Sequence, residues 1–105
     1  MYSVEILKLA SEDVEEIYYW FEEQKFGLGD AFLESLGTRV SEIAKNPFQC
    51  EDKFREVRKA FTERFPYVLY YKIHPNNLVI IHAILHMSRH SIAWKSRVKQ
   101  ETLPQ

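Results

Sequence analysis

Two strand-like runs separated by a polar break dominate the hydrophobic pattern of the second half of the chain. Residues 65–73 are rich in β-branched and aromatic side chains, and the apolar run 78–86 follows after the polar segment 74–77. Runs of this composition around a short Pro/Asn loop predict a β-hairpin. The second run is apolar on both faces, which is typical of a central strand.

The first part of the chain predicts a strand followed by a helix. Residues 2–9 alternate imperfectly between apolar and polar, which indicates a strand. Ser11 is then a candidate N-cap, and Glu12 and Asp13 lie where carboxylates favour the helix dipole. We expect this helix to end near Gln24. Its apolar stripe consists of Val14, Ile17, Tyr18 and Phe21.

A second helix and two further elements complete the predicted order. The glycines around position 28 break the first pattern, and residues 30–45 form a second amphipathic pattern that ends before Pro47. Two such helices joined by a short loop predict an αα-hairpin. Residues 48–53 are expected to be a loop, and residues 54–61 a strand. Ser91 is a plausible cap for a short C-terminal helix.

The chain is therefore expected to form a single α+β domain over residues 1–105 with the order β-α-α-β-β-β-(α). In this fold a helical hairpin packs on one face of a twisted, mostly antiparallel sheet. Pairing Ile73 with Leu78 assigns the hairpin residues to two faces. The more apolar face, which we expect under the helices, carries Val68, Tyr70, Val79, Ile81, Ala83 and Leu85. The other face carries Tyr67, Leu69, Tyr71, Ile80, His82, Ile84 and His86.

Composition and charge narrow the class of protein. The 105 residues are 46% hydrophobic and 14% aromatic, which is enough for one core without disulfides. The net charge of -1 gives no overall basic field that would attract nucleic acid or an anionic membrane. Cys50 is the single cysteine, so no internal disulfide forms and a reducing compartment is indicated. Without a leader or a long apolar run, we expect a soluble, cytoplasmic protein.

Metal and cofactor chemistry have little support in the sequence. His82, His86 and His90 are spaced by four, but on a strand such a spacing separates residues by ~13 Å. The sequence contains no P-loop and no dinucleotide-binding glycine motif. We therefore expect no metal and no cofactor. The remaining candidate is a basic and aromatic set that suits RNA, an acidic peptide, or simply a charged surface: Arg55, Arg58, Lys59, Arg64, Lys72, Arg89, Lys95 and Arg97, with Tyr67, Tyr71 and Trp94.

A spaced set of residues within this region resembles a known signature. The set comprises Arg58, Arg64-Phe65-Pro66-Tyr67, Tyr70-Tyr71-Lys72, His86-x-x-Arg89 and Trp94. It is similar to the signature of the ParE-like branch of the RelE/ParE superfamily, the toxins of bacterial type II toxin–antitoxin modules. Members of this branch are also called plasmid-stabilisation proteins. The resemblance extends from the first strand through Trp94. It implies a toxin that is neutralised by a cognate antitoxin lying along the domain.

The resemblance implies two alternative targets. RelE-like members cleave mRNA on the ribosome, whereas ParE-like members inhibit DNA gyrase and do not cut nucleic acid. Similar nucleases commonly carry an arginine at the position of Tyr67, and a tyrosine supplies no permanent cation for the reacting phosphate. We therefore favour a gyrase inhibitor, although residues 90–92 depart from the ParE-like pattern. The alternatives are a nuclease that uses His86, Arg89, Arg64 and Tyr67, and an inactive relic that only binds antitoxin.

A candidate antitoxin surface follows from the sheet face that the helices are expected to leave uncovered. Its members are Arg58, Arg64, Tyr67, Leu69 and Tyr71. An extended strand or an amphipathic helix of the antitoxin would suit such a surface. This hypothesis requires the tyrosine-bearing face of the hairpin to be accessible to another molecule.

Overall fold

The computed structural model describes residues 1–88, so the predicted C-terminal helix lies outside the described residues. Within them, the sequence-based α+β class is confirmed, with two helices between the first strand and the later ones. A short 3₁₀ turn spans Pro47–Gln49. The strands and helices in chain order are β1 Ser3–Ile6, α1 Lys8–Gln24, α2 Leu28–Lys45, β2 Asp52–Phe54, β3 Val57–Phe61, β4 Tyr67–His74 and β5 Leu78–His86.

The sheet has the strand order β1-β5-β4-β3-β2. β1 pairs in parallel with β5, whereas the other three pairings are antiparallel. β5 therefore lies between two neighbours, as its apolar pattern predicted. The hairpin of β4 and β5 is also confirmed. Its turn places Asn76 and Asn77 at positive φ, a conformation that asparagine tolerates better than most residues.

A β-bulge at His82 changes the register of this hairpin. Tyr71 pairs with Ile81 but the preceding Tyr70 pairs with Ala83, so His82 is an extra residue on β5. The expected pairing of Ile73 with Leu78 is wrong, because His74 holds that position. An insertion of one residue reverses the face of every side chain beyond it.

The helices cover the face that the sequence assigned to solvent or a partner. Leu69 and Tyr71 are fully buried in the core beneath α1 and α2. The Tyr71 hydroxyl donates a hydrogen bond of 2.6 Å to the Pro47 carbonyl, so this tyrosine is buried without leaving its polar atom unpaired. Of the residues expected under the helices, Val79 and Ile81 do lie in this core. The others form a separate buried cluster on the opposite face: Val68, Tyr70, Ala83 and Leu85, joined by Val57.

Both helices begin earlier than predicted. α1 begins at Lys8, and the Ser11 N–H donates to the Leu7 carbonyl, so Ser11 lies inside the helix and is not its N-cap. α2 begins at Leu28 after Gly27, which has a φ of 89°. Neither N-cap residue, Leu7 or Gly27, supplies the local side-chain cap on which sequence prediction of a helix start depends.

The strand β2 lies where a loop was expected. It is joined to β3 by Arg55 and Glu56, both at positive φ. A two-residue hairpin with this backbone normally carries asparagine or glycine at these positions. The sequence therefore gives no turn signal between the two strands, and this explains why β2 was missed.

Candidate functional site

A groove of about 240 Å³ lies between α1 and the ends of β4 and β5. α1 supplies one wall, and the sheet supplies the other where β1 no longer covers β5. The residues that line it are Asp13, Glu16, Ile17, Trp20, Tyr67, Ile84, Leu85 and His86.

Tyr67 and His86 meet at the sheet side of this groove. They are direct partners in the β4–β5 register, and their ring centroids lie 5.3 Å apart in an edge-to-face arrangement. The prediction that these two residues share a face is therefore confirmed. Tyr67 also contacts Phe21 and Phe32, with ring centroids at 6.0 Å and 5.5 Å. Its partial burial raises the pKa of the phenol above its usual value of 10.0, so it is un-ionised at neutral pH.

The imidazole of His86 is oriented by Ser88. The Ser88 backbone N–H donates to Nδ1 of His86 at 3.1 Å, and the Ser88 hydroxyl lies 2.8 Å from the same atom. A ring nitrogen that accepts a hydrogen bond carries no proton, so the neutral imidazole is protonated at Nε2. In this tautomer His86 has Nε2–H as its remaining hydrogen-bond donor.

Asp13 connects α1 to the part of β5 that extends beyond the end of β1. β1 pairs with β5 only as far as Ile81. Beyond that point the Ile84 N–H donates to Oδ2 of Asp13 at 3.0 Å, in a buried hydrogen bond. A buried amide without an acceptor is costly, so the carboxylate takes over the role that a strand carbonyl would have had.

The sequence analysis did not identify the α1 residues of this groove. It placed Asp13 at a helix N-terminus, and it gave Glu16 and Trp20 no role. Asp13, Ile17 and Phe21 in fact form one buried stripe with a spacing of four residues. Asp13 lies on the apolar side of α1. This position in the sequence could have indicated that its carboxylate has a buried hydrogen-bond partner.

The charge of the groove is negative within the described residues. Asp13 and Glu16 are the two carboxylates of the lining, and no described lining residue is lysine or arginine. A phosphate in the groove would be repelled by the exposed carboxylate of Glu16 and would meet no cation among the described lining residues. Such a groove suits an uncharged or cationic group better than a phosphodiester.

Of the other predicted catalytic residues, Arg64 does not join Tyr67 and His86 in this lining. Arg64 lies in the turn before β4 with a φ of 73°, and it lines a different depression between that turn and α2. Its guanidinium carbon is 5.7 Å from the centroid of Phe65. Arg89 lies outside the described residues.

Only part of the predicted antitoxin surface is accessible. Leu69 and Tyr71 are fully buried under the helices, so the expectation that this face is open to a partner is wrong. Arg58 is half-buried at the side of the sheet, where it donates to the Cys50 carbonyl and lies over the ring of Phe48 at 5.2 Å. Arg64 is exposed and Tyr67 is half-buried.

Two other kinds of site are absent from the part of the chain that the structure describes. Residues 1–88 contain no cluster of three or more His, Cys, Asp or Glu side chains that could bind a metal ion. Neither of the two described helices combines the length and the apolar character that a membrane crossing requires.

The fold is similar to those of solved toxin structures. The chromosomal ParDE toxin–antitoxin system of P. aeruginosa matches with a TM-score of 0.72 and 17% identity, over 82% of this chain and 96% of that one. The intact E. coli RelBE toxin–antitoxin complex matches with a TM-score of 0.63 and 17% identity, over 85% and 100% of the two chains. The isolated E. coli RelE toxin gives a TM-score of 0.62 and 15% identity, over 96% and 99%.

At identities of 15–17%, similarity between structures shows a common fold only, so the family is assigned from the sequence. No curated protein sequence matches the chain significantly. The family model described as "ParE toxin of type II toxin-antitoxin system, parDE" matches residues 4–90, which includes both helices, the described strands except the first residue of β1, and the Tyr67–His86 groove. The chain therefore belongs to the ParE family of toxins of type II toxin–antitoxin systems.

Proposed function

We propose that this toxin acts in the cytoplasm by binding and inhibiting DNA gyrase, and that a cognate antitoxin neutralises it. The observation that carries the proposal is the composition of the Tyr67–His86 groove. Its described lining contains Asp13 and Glu16 but no cation. A ParE-type toxin works by binding, so it has no need to stabilise a reacting phosphate.

Phosphodiester cleavage makes a demand that the described lining of this groove does not meet. The negative charge of a pentacoordinate phosphate increases in the transition state, and enzymes stabilise it with fixed cations or convergent N–H donors. A tyrosine whose pKa is raised by burial contributes no permanent charge. The described lining supplies no cation against the developing charge, and this supports a binding mechanism over a nucleolytic one.

The proposal is tested by expressing the chain without antitoxin and recording which process stops first. We expect DNA synthesis to stop before protein synthesis, with induction of the SOS response and gyrase trapped on DNA. Purified toxin should inhibit supercoiling by purified gyrase. Arrest of protein synthesis while replication continues, or gyrase that is insensitive to the pure toxin, would overturn the gyrase assignment.

The second candidate is a ribosome-dependent mRNA endonuclease. The observation in its favour is the contact between Tyr67 and His86 at the groove, since histidine is the side chain that most often transfers protons in catalysis. Mapping of mRNA 5′ ends in expressing cells distinguishes the two candidates. New ends in translated frames that disappear in a His86→Ala, Arg89→Ala double variant would establish cleavage. Normal growth of expressing cells would instead identify an inactive antitoxin-binding relic.

The accessible part of the predicted antitoxin surface consists of Arg58, Arg64 and Tyr67. The two guanidinium groups would attract an acidic segment, and Tyr67 would offer a ring edge at the Tyr67–His86 groove. We expect Arg64→Glu to weaken antitoxin binding by about tenfold, mainly through a slower association rate. Lys45→Glu, which makes the same charge change at the exposed end of α2, is the matched control. Equal effects of the two variants would contradict this surface.

A further inference from the structure

The outward side of the helical hairpin carries a groove that the proposed function does not use. It has a volume of about 230 Å³ and lies between α1 and α2, on the side away from the sheet. The groove has an apolar floor and acidic rims. Its lining residues are Val14, Glu15, Tyr18, Tyr19, Asp30 and Leu33.

Large apolar side chains in this groove are open to solvent. Tyr19 is 63% exposed and Leu33 is 39% exposed. Tyr18 packs its ring against Gly29 of the neighbouring helix, and its side chain is hydrogen-bonded with that of Asp30. Exposed apolar side chains gathered between polar rims are characteristic of protein interaction sites.

A glycine in the middle of α2 extends this open surface. Gly37 lies one turn beyond Leu33 on the same side of the helix. Within the described chain, no neighbouring atom lies within 4 Å of the position that its Cβ would occupy. A glycine in a helix interior is destabilising relative to alanine. This cost has no compensation inside the described domain, but it permits close approach of another backbone.

The negative charge of the helical hairpin indicates which kind of partner its groove can bind. Residues 8–45 contain nine carboxylates and four cationic side chains, a net charge of -5. No lysine or arginine occurs from position 9 through 24 or from 26 through 38. The pKa of the Tyr18 phenol is raised, first by partial burial and then by the carboxylates Asp30 and Glu22. A second copy of this acidic surface, an anionic membrane or a nucleic acid would be repelled.

We propose that the groove between α1 and α2 binds a basic amphipathic helix of another protein. Apolar side chains spaced by three and four residues on that helix contact Tyr19 and Leu33, and lysines or arginines on its flanks pair with Glu15 and Asp30. The surface around Arg58 and Arg64 attracts an acidic segment. The two surfaces therefore take chemically opposite partner segments, and the inference is independent of whether gyrase or the ribosome is the target.

The test uses the full-length ¹⁵N-labelled toxin and a synthetic helical peptide of about 15 residues, roughly 22 Å long. The peptide carries leucines at helical spacing and lysines on both flanks of that stripe. A control peptide has the same leucines with glutamate in place of every lysine. We expect the lysine peptide alone to shift the amide signals of Tyr19, Leu33 and Gly37, with an affinity that falls as salt increases.

Variants of the toxin sharpen this test. Leu33→Ala should weaken the lysine peptide by about tenfold, the amount expected for one leucine contact. Glu15→Gln should weaken it by about threefold at low salt, whereas Glu23→Gln, an exposed carboxylate of α1 outside the groove lining, should have no effect. The proposal is overturned by absence of binding, by equal binding of both peptides, by shifts centred on Tyr67 and His86, or by equal effects of the two glutamine variants.

Discussion

Asp13 and Ile84 are 71 residues apart in the chain, and a buried hydrogen bond of 3.0 Å joins the carboxylate of one to the backbone N–H of the other. This bond connects the first helix to the last strand beside the Tyr67–His86 groove. It also occupies the strand edge that β1 leaves uncovered after Ile81. Asp13 therefore both stabilises the fold and contributes to the charge of the candidate site.

Removal of this carboxylate should destabilise the domain. We expect Asp13→Ala to lower the free energy of unfolding by about 1–3 kcal/mol, because the Ile84 amide then has no acceptor. Asp13→Asn keeps an acceptor oxygen and should cost less. Urea unfolding of both variants measures the difference, and hydrogen exchange at Ile84 should be faster in the alanine variant. Equal stability of the alanine variant and the parent protein would show that this amide needs no such acceptor.

Glu22 is expected to stabilise the beginning of α2. Its carboxylate accepts hydrogen bonds from the N–H groups of Gly27 and Gly29 at 3.1 Å and 2.8 Å, which fulfils the function of an N-cap. Glu22→Ala should therefore lower the free energy of unfolding by about 1 kcal/mol. Glu23→Ala, an exposed neighbour on the same helix, is the matched control and should change stability by less than about 0.5 kcal/mol. Chemical denaturation measures both.

Two glycines of α2 should respond in opposite ways to alanine. A Cβ on Gly29 would lie 2.8 Å from Cδ1 of Tyr18 and from Cγ of Glu22, so Gly29→Ala should destabilise the helical hairpin by about 1–3 kcal/mol. Gly37 is surrounded by open space in the described chain, so Gly37→Ala should stabilise it by up to about 1 kcal/mol. Thermal unfolding of the two variants is the measurement. A stabilised Gly29→Ala variant would contradict the close approach of the two helices.

Stability should fall at alkaline pH because of Tyr71. Burial, followed by the hydrogen bond with Cys50, raises the pKa of its phenol well above the usual 10.0. Above pH 10 the unfolded chain releases this proton while the folded chain retains it. The stabilisation is therefore fully present below that pH and is lost as the pH rises further, by up to about 1.4 kcal/mol per pH unit. Burial raises the pKa of Tyr67 and Tyr70 as well, so their contributions have the same sign.

Urea unfolding from about pH 8 to about pH 11 tests this linkage. Tyr71→Phe removes one titrating group, so the slope of stability against pH should become less steep above pH 10. The variant should also be less stable at neutral pH, because the bond to the Pro47 carbonyl is lost. An unchanged alkaline slope in Tyr71→Phe would contradict the prediction.

The β4–β5 hairpin was predictable from sequence, but which of its two faces lies under the helices was not. Aromatic and β-branched runs around Asn76 and Asn77 identify the two strands through local preferences. The choice of face depends on strict alternation, and the single extra residue His82 reverses that alternation midway along β5. Tyr71 contributed to the error because its hydroxyl made the face that carries it look polar. In the structure that hydroxyl donates a hydrogen bond to the Pro47 carbonyl, so the side chain can be buried.

The candidate site was predictable only in part. Tyr67 and His86 were identified because the family signature contains them, and their pairing follows from the hairpin. Trp20 and Glu16 were missed because the docking angle of α1 on the sheet decides which side of the helix borders β5. That angle is a property of tertiary packing, which no local pattern along α1 encodes.

The parallel pairing of β1 with β5 has a consequence for synthesis of this toxin. Ser3 lies beside Leu78, so the first strand has no partner until almost all of the described chain has been made. Contacts between residues so distant in sequence form late and slow the folding of a domain. A chain whose synthesis terminates before β5 would thus keep an opening strand that has no partner strand.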